Sequence, residues 1–452
     1  MQHALHLSAA LSLAWLLAAP AVRAHGAFPK VLQAAADPSD PSRLWVRATH
    51  GVLTSTDAGK SWYWLCTAAA GYGPTEEPPL AVTKTGTVLL GTFNGLYASI
   101  DHGCGWAFPT SALGSSVTGL AVDEKNPSRV VVLLSRGASG GKFESELWQS
   151  LDAGASWASV PTSLDPAALY LSVGISSSDP ARLYLTGLPG AGGGKSVVLR
   201  SSDSGQSWAS VDLPGSPGAA GQIVGVHPTN PDILYVRANL TSSTPSEGAL
   251  FASGDGAQSF SQVLKQAAPL MGFTLSPDGS QAFAAYGNPR GGVVVVEAEL
   301  GLYSAKVADN AFARVLEGPV ACASFIAGEL WACTSQFDQG FELGRSSDGG
   351  KTFTPVMELA GITGPLECPA ASTVGTVCSN TDFDWEDVCR DIGKCGFGTG
   401  GQGNAGSEDD GGCGCRSTSK GANGALGLLA LAALGFGWGR GQRRAGRVAS
   451  GA

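Results

Sequence analysis

An eight-residue pattern, Ser-x-Asp-x-Gly-x-Ser/Thr-Trp/Phe, returns through this chain, and a pattern repeated at a near-fixed period limits the fold to an array or ring of similar units. Four intact copies begin at Ser55, Ser150, Ser201 and Ser346 and close on Trp62, Trp157, Trp208 and Phe353. Two worn copies run from Ser99 to Trp106, where Gly105 replaces the hydroxyl, and from Ser253 to Phe260, where Ala257 replaces the glycine. The chemistry of the pattern is that of a turn. An Asp at a hairpin accepts hydrogen bonds from amides of its own loop, Gly supplies a left-handed position, and the aromatic packs between neighbouring sheets. Asp57, Asp101, Asp152, Asp203, Asp255 and Asp348 are therefore expected to hold structure, not to catalyse.

A second signal runs in step with the first. Strand-like runs occur at Leu44, Val88, Val130, Leu183, Leu234, Ala282 and Leu330, and several follow an Asp-Pro or Asn-Pro turn, as at Asp40-Pro41 and Asn126-Pro127. Seven units at this spacing match four-stranded propeller blades. The expectation is an all-β, seven-bladed propeller over residues 26–366, with an open β-solenoid as the alternative. Gly is 64 of 452 residues and only 14% are charged, against roughly 25% in ordinary soluble domains. That suits short strands and tight turns. The sixth unit has no true copy of the pattern, only Leu302-Tyr-Ser followed by Phe312.

The eight-residue repeats resemble the Asp-box (BNR) repeats of sialidases, sortilin-type receptors, some glycoside hydrolases and the photosystem II assembly factor family. That resemblance implies a propeller, and three functions compete. The first is a non-enzymatic surface propeller that binds a glycan, a peptide or an envelope partner. The second is a glycoside hydrolase, sialidase-like or xyloglucanase-like. The third is an envelope complex assembly factor. Sialidases of this type carry an Arg-Ile-Pro motif and an arginine triad. Here the start reads Ala27-Phe-Pro-Lys30, and Arg136 and Arg290 alone make no triad. The resemblance thus leans away from an enzyme, and no catalytic residue, metal or cofactor is expected. A net charge of −9 gives no reason to expect nucleic acid.

In a blade whose strands run from the axis outwards, the Asn-Pro turns and the aspartate loops share one face. The strand 2–3 loops and the blade-to-blade connections share the other. Function is expected on this second, irregular face. Its candidates are Tyr72, Glu76, Glu77, Arg136, Lys142, Phe143, Glu144, Lys195, Arg290, Phe337 and Asp338.

Ten cysteines and an export signal suit disulfides. Cys322 and Cys333 flank Ala327-Gly328 symmetrically and would face each other across a hairpin. Cys66 and Cys104 are then expected to pair by elimination. Cys368, Cys378, Cys389 and Cys395 would staple a small cap over residues 367–395, with three connectivities open.

The two ends carry addresses. Residues 1–24 read as a signal peptide, with an apolar core and Ala21-Val-Arg-Ala24 before the cut, although the n-region lacks Lys and Arg. After a Gly-rich linker, 396–412, the tail 413–452 runs Cys413-Gly-Cys415-Arg416, an apolar stretch to Gly439, then Arg440, Arg443, Arg444 and Arg447. It resembles the MYXO-CTERM sorting signal. That implies a partner protease cutting near the Cys, and retention on the outer surface through a modified Cys. A conventional C-terminal membrane anchor is the alternative. An Ala/Gly-rich helix holds a membrane weakly, so the mature chain is expected to end near Cys413 or Cys415. Intact-mass spectrometry of surface-extracted protein checks this, and a species retaining Arg440–Ala452 would favour the anchor.

Overall fold

The computed structural model describes residues 29–378, apart from 74, 191–193 and 289–290, together with 385, 388, 389 and 392. The signal peptide, the linker and the tail therefore lie outside the described residues.

Seven antiparallel sheets form seven blades, each made of consecutive strands. Blade 1 comprises Val31–Asp37, Asp40–Ala48, Gly51–Ser55 and Trp62–Leu65. The later blades span residues 80–107, 117–160, 168–217, 220–266, 270–317 and 322–357. Each of the seven strand-like runs falls in the second strand of its blade, where apolar side chains pack against both neighbouring blades. Blade 2 has three full strands, and its fourth is reduced to the bridge between Ala98 and Ala107. First strands neighbour one another around the ring, and that of blade 7 (Cys322–Ile326) meets that of blade 1.

The ring closes by an unusual route. After blade 7 the chain turns back and lays Ile362–Pro365 parallel to the outer strand of blade 1. It then crosses towards blade 2, where the Val374 amide donates to the Cys104 carbonyl at 3.0 Å. This path overturns two cysteine expectations, the Cys66–Cys104 pair and the pairing of Cys368, Cys378, Cys389 and Cys395 among themselves. Cys66 bonds Cys378, and Cys104 bonds Cys368. Cys66 and Cys104 do not pair because the segment after blade 7 is not a separate cap. It is threaded along the outside of blades 1 and 2, and brings a partner to each. Trp385 packs on Trp64 at 5.8 Å between ring centres, and Val388 and Ile392 join the same core. Cys322 and Cys333 pair across the two-residue turn of blade 7, and Cys389 is also disulfide-bonded.

The aspartate loops share one geometry. In blade 3 the Ser150 hydroxyl donates to Asp152 Oδ1 at 2.8 Å, the Ser156 amide donates to the same oxygen, and the Ser156 hydroxyl donates to Oδ2 at 2.6 Å. The Gly154 amide donates back to Ser150 Oγ at 2.8 Å. Two successive residues are left-handed, Ala153 at φ 61° and Gly154 at φ 90°, so the glycine and the residue before it turn the chain together. The same carboxylate pattern holds at Asp57, Asp203, Asp255 and Asp348, and in reduced form at Asp101.

The Ser61, Ser156 and Ser207 hydroxyls hold Asp57, Asp152 and Asp203 down at about 2. A carboxylate whose folded pKa is depressed binds fewer protons than in the unfolded chain. Its stabilisation is complete above the ordinary carboxylate range and is lost as pH falls through the folded value. The melting temperature is therefore expected to drop as pH falls from about 4 to about 2. Asp152→Asn with Asp203→Asn should lower it at neutral pH and flatten that slope, as read by calorimetry at a series of pH values.

The two long-range disulfides close loops of 312 and 264 residues. Replacing Cys104 and Cys368 by Ser is expected to cost about 3–5 kcal/mol by the loop-entropy argument. The guanidinium unfolding midpoint measures it, and an unchanged midpoint would place the closure in noncovalent packing alone.

Candidate functional site

The two faces of the ring are built differently. On the aspartate-loop face, the strand 1–2 turns are tied from blade to blade. The Lys84 amide donates to Pro127 O at 3.0 Å, and Arg129 Nη2 to Pro180 O at 2.7 Å. Arg182 Nη1 pairs with Asp232 Oδ1 at 2.9 Å, and the Tyr184 hydroxyl donates to Pro231 O at 2.6 Å. His227 Nε2 meets Gly279 O at 3.1 Å. Burial lowers the Arg129 pKa and raises that of Tyr184, and each group is offset by a polar partner.

On the other face the rim is uneven. Blades 1 and 2 join their second and third strands by two-residue turns, Thr49-His50 and Phe93-Asn94. Each turn ends on a glycine at φ 143°, Gly51 and Gly95, where a Cβ would lie 2.4 Å from Leu65 O and 2.5 Å from Leu113 O. No side chain fits there, so these turns stay low. Blades 3 to 7 use longer loops, nine residues at 334–342 in blade 7 and fourteen at 287–300 in blade 6. The result is a low sector over blades 1 and 2. Phe93 lies in it and Phe337 borders it from the short helix Gln336–Gln339, both 70% exposed. Lys30 Nζ sits 5.5 Å from the centre of the Phe337 ring.

The candidates expected from the sequence are scattered over this face. Tyr72 is only 4% exposed and belongs to the core around blade 1, because its connection folds inward. Glu76 accepts from the Phe93 amide, and burial raises its pKa. Its work is to pin the blade 2 turn. Arg136 and Glu144 pair across the blade 3 hairpin, with Nε at 2.8 Å from Oε2. Lys142 is exposed beside them, and half-buried Phe143 donates its amide to Pro166 O. Lys195 pairs with Asp212 at 3.8 Å within blade 4. Asp338 is exposed on the helix that carries Phe337. Arg290 lies outside the described residues. Arg136, Lys195 and Asp338 sit on three different blades and form no common site.

Two arginines were missed. Arg47 and Arg237 each follow a Leu-aromatic-Val run, Leu44-Trp-Val and Leu234-Tyr-Val, so they hold equivalent places in blades 1 and 5. That shared position is the signal a reading of the runs could have used. Arg237 is surrounded by protein although part of its surface stays open. It donates to Gln222 Oε1 at 2.9 Å and to Leu270 O at 2.9 Å. Burial brings its pKa down to about 10, with Glu77 opposing that shift and Arg47 adding to it. Arg47 Nη1 is 4.0 Å from Glu77 Oε2. Arg47 thus pairs with the carboxylate, while Arg237 on blade 5 is held by Gln222 and Leu270 and senses both charges.

Concave space also occurs on the aspartate-loop face. Two clefts flank blade 7, whose strand 1–2 turn is the bare dipeptide Ala327-Gly328. The one towards blade 6 is about 370 Å³ and the one towards blade 1 about 240 Å³. The second is mostly apolar, lined by Leu44, Ile326 and Trp331 with the Arg345–Glu329 pair at its edge. Among the described residues, no group of His, Cys, Asp and Glu is arranged to hold a metal ion.

A family model described as Sortilin, neurotensin receptor 3, matches residues 145–285, from blade 3 to blade 6. No curated protein matches the chain. Among solved structures, an ancestral GH74 enzyme superposes with a TM-score of 0.53 at 17% identity, over 73% of this chain and 46% of that one. The chain thus spans about half the length of that enzyme. The YCF48 protein from Cyanidioschyzon merolae covers 57% of this chain and 92% of its own, with a TM-score of 0.35 at 14% identity. A structure of YCF48 bound to D1 peptide covers 54% and 71%, with a TM-score of 0.34 at 16% identity. The likeness to the GH74 enzyme is one of fold. The family match is confined to residues 145–285, so what the two findings share is the β-propeller itself.

Proposed function

We propose that this protein is a non-enzymatic propeller, exported and displayed at the cell surface, that binds a peptide or protein partner over the low sector of blades 1 and 2. One observation carries the reading. Phe93, 70% exposed, stands where the turns of the rim are shortest, and Phe337, equally exposed, borders that sector from the blade 7 loop. Aromatic side chains are enriched in protein contact surfaces relative to the rest of the surface. Arg47 of blade 1 pairs with Glu77 on the connection to blade 2, and an extended peptide could use that charge while its apolar side chains cover the two rings. The MYXO-CTERM-like tail supports display on the outer surface, through a sorting protease and a modified Cys.

Panning a phage-displayed random peptide library against the full-length protein tests this. Wild type is expected to enrich binders. Phe93→Asp with Phe337→Asp should weaken them at least tenfold at an unchanged melting temperature. Failure to enrich, or binders indifferent to the double substitution, would overturn the reading.

A further inference from the structure

We propose that the cleft between blades 6 and 7, on the aspartate-loop face, is a binding site for a neutral saccharide, separate from the peptide surface proposed above. Its existence follows from turn length. Elsewhere on this face a side chain from one blade reaches the turn of the next, as Arg182 reaches Asp232 and His227 reaches Gly279. The two-residue turn Ala327-Gly328 of blade 7 is too short to be met in this way, so blade 6 faces open space of about 370 Å³. That volume lies within the roughly 300–1,000 Å³ of small-ligand sites.

The walls differ in chemistry. The floor is apolar, with Phe283 fully buried and Phe325 half-buried above it, ring centres 5.8 Å apart. The blade 6 wall is polar and already organised. Asp278 Oδ1 accepts from the Ser276 hydroxyl at 2.6 Å, the Ser280 amide at 3.0 Å and the Ser280 hydroxyl at 2.9 Å. All three bonds fall on one oxygen, so Oδ2 is left to accept from a ligand. The Gln281 amide stands beside it, engaged with no protein group, while its backbone N–H is held by Ser276 Oγ at 2.9 Å. Across the cleft stand exposed Ser347 and half-buried Gly349. A Cβ on Gly349 would come within 3.9 Å of Gln281 Oε1, so the two walls meet at that end and a ligand seated in the cleft lies against both.

A pyranose meets each of these groups. Its C–H face packs on the Phe325 ring, as apolar surface does on an aromatic. Its hydroxyls donate to Asp278 Oδ2 and exchange hydrogen bonds with the Gln281 amide and the Ser347 hydroxyl. A cationic ligand would use the carboxylate and leave the amide and hydroxyl idle. The balance of one fixed charge against several neutral donors and acceptors therefore selects a polyol.

Ligand-observed NMR on the full-length protein tests the site, with cello-, xylo-, manno- and chitotetraose as probes. Saturation transfer to the C–H protons of at least one probe is expected. Ser347→Trp, which fills the cleft from its exposed wall without touching the core, should weaken that probe at least tenfold. Gln281→Ala should weaken it several-fold. Phe93→Asp with Phe337→Asp should leave it unchanged, so this site and the peptide surface fail independently. The proposal is overturned if none of the four probes receives saturation, or if affinity survives Ser347→Trp. It is also overturned if a lysine-containing peptide, but no saccharide, binds in a way that Asp278→Asn abolishes.

Discussion

A ring of seven sheets has no natural end, so something other than chain order must hold the seventh blade against the first. Propellers can solve this by completing one blade with strands from both termini. Here every blade is built from consecutive strands, and the closure is made outside the ring. The strand Ile362–Pro365 extends the sheet of blade 1 at its outer edge, and the two disulfides that follow fasten it to blades 1 and 2. On the inner side, Lys30 reaches the fully buried Glu342 of blade 7 at 3.5 Å. Burial raises the Glu342 pKa, and the Gln336 amide and Lys30 counter it. The seam is thus held covalently at its periphery and electrostatically near its entry. Both elements act across nearly the whole chain, which is where loop entropy makes a crosslink most effective.

Much of the architecture was legible from the sequence because its signals are local. A Leu-aromatic-Val run marks a buried second strand, and Ser-x-Asp-x-Gly marks a hairpin, whatever lies elsewhere in the chain. The seven runs therefore gave seven blades, including the sixth, which has no aspartate loop. The cysteine pairing failed for the opposite reason. Elimination assumed that Cys66 and Cys104 must find partners inside the ring, whereas their partners arrive on a segment more than 260 residues later. Sequence spacing holds no trace of that path. The site candidates met the same limit. Tyr72 is polar enough to suggest a surface and apolar enough to be core, and only the inward fold of its connection decides. Phe337 was visible among the candidates but Phe93 was not, since its exposure depends on the shortness of the turn around it.

The two faces divide the labour of the fold. Hydrogen bonds from turn to turn link blades 2 to 6 on the aspartate-loop face, and such a network resists shear between neighbouring sheets. The opposite face is tied through its longer loops and connections instead, as where Asn239 Nδ2 donates to Leu270 O at 2.9 Å and Gln339 Nε2 to Glu317 O at 2.7 Å. The tips of those loops stand at the ends of stiff hairpins, where sequence can vary without disturbing the core. The network also explains where the clefts occur. It stops at blade 7, whose turn is too short to join it, and the space it leaves on either side is the concavity on that face.

Comparison of the seven strand 3–4 hairpins shows what an aspartate loop contributes. Blade 5 has Ala257 where glycine belongs, yet the alanine takes φ 61° and its amide still donates to Ser253 Oγ at 2.9 Å. The carboxylate bonds are strong enough to hold an L-residue in a region that costs roughly 1–2 kcal/mol. Blade 2 lacks the hydroxyl, and its loop survives on the Gly105 amide to Asp101 bond at 2.7 Å. Blade 6 has neither Ser nor Asp in place. There Asn310 turns the chain at φ 52°, and its side chain accepts from the Tyr235 hydroxyl of blade 5 at 2.7 Å. In all seven hairpins a left-handed residue is followed by an aromatic or its equivalent packed on the blade. The left-handed turn is therefore the structural requirement, and the aspartate is one means of stabilising it. Blade 6 replaces that local support with a bond to its neighbour. This leaves Ser276–Gln281 of the same blade, with its own aspartate, free to face the open cleft beside blade 7.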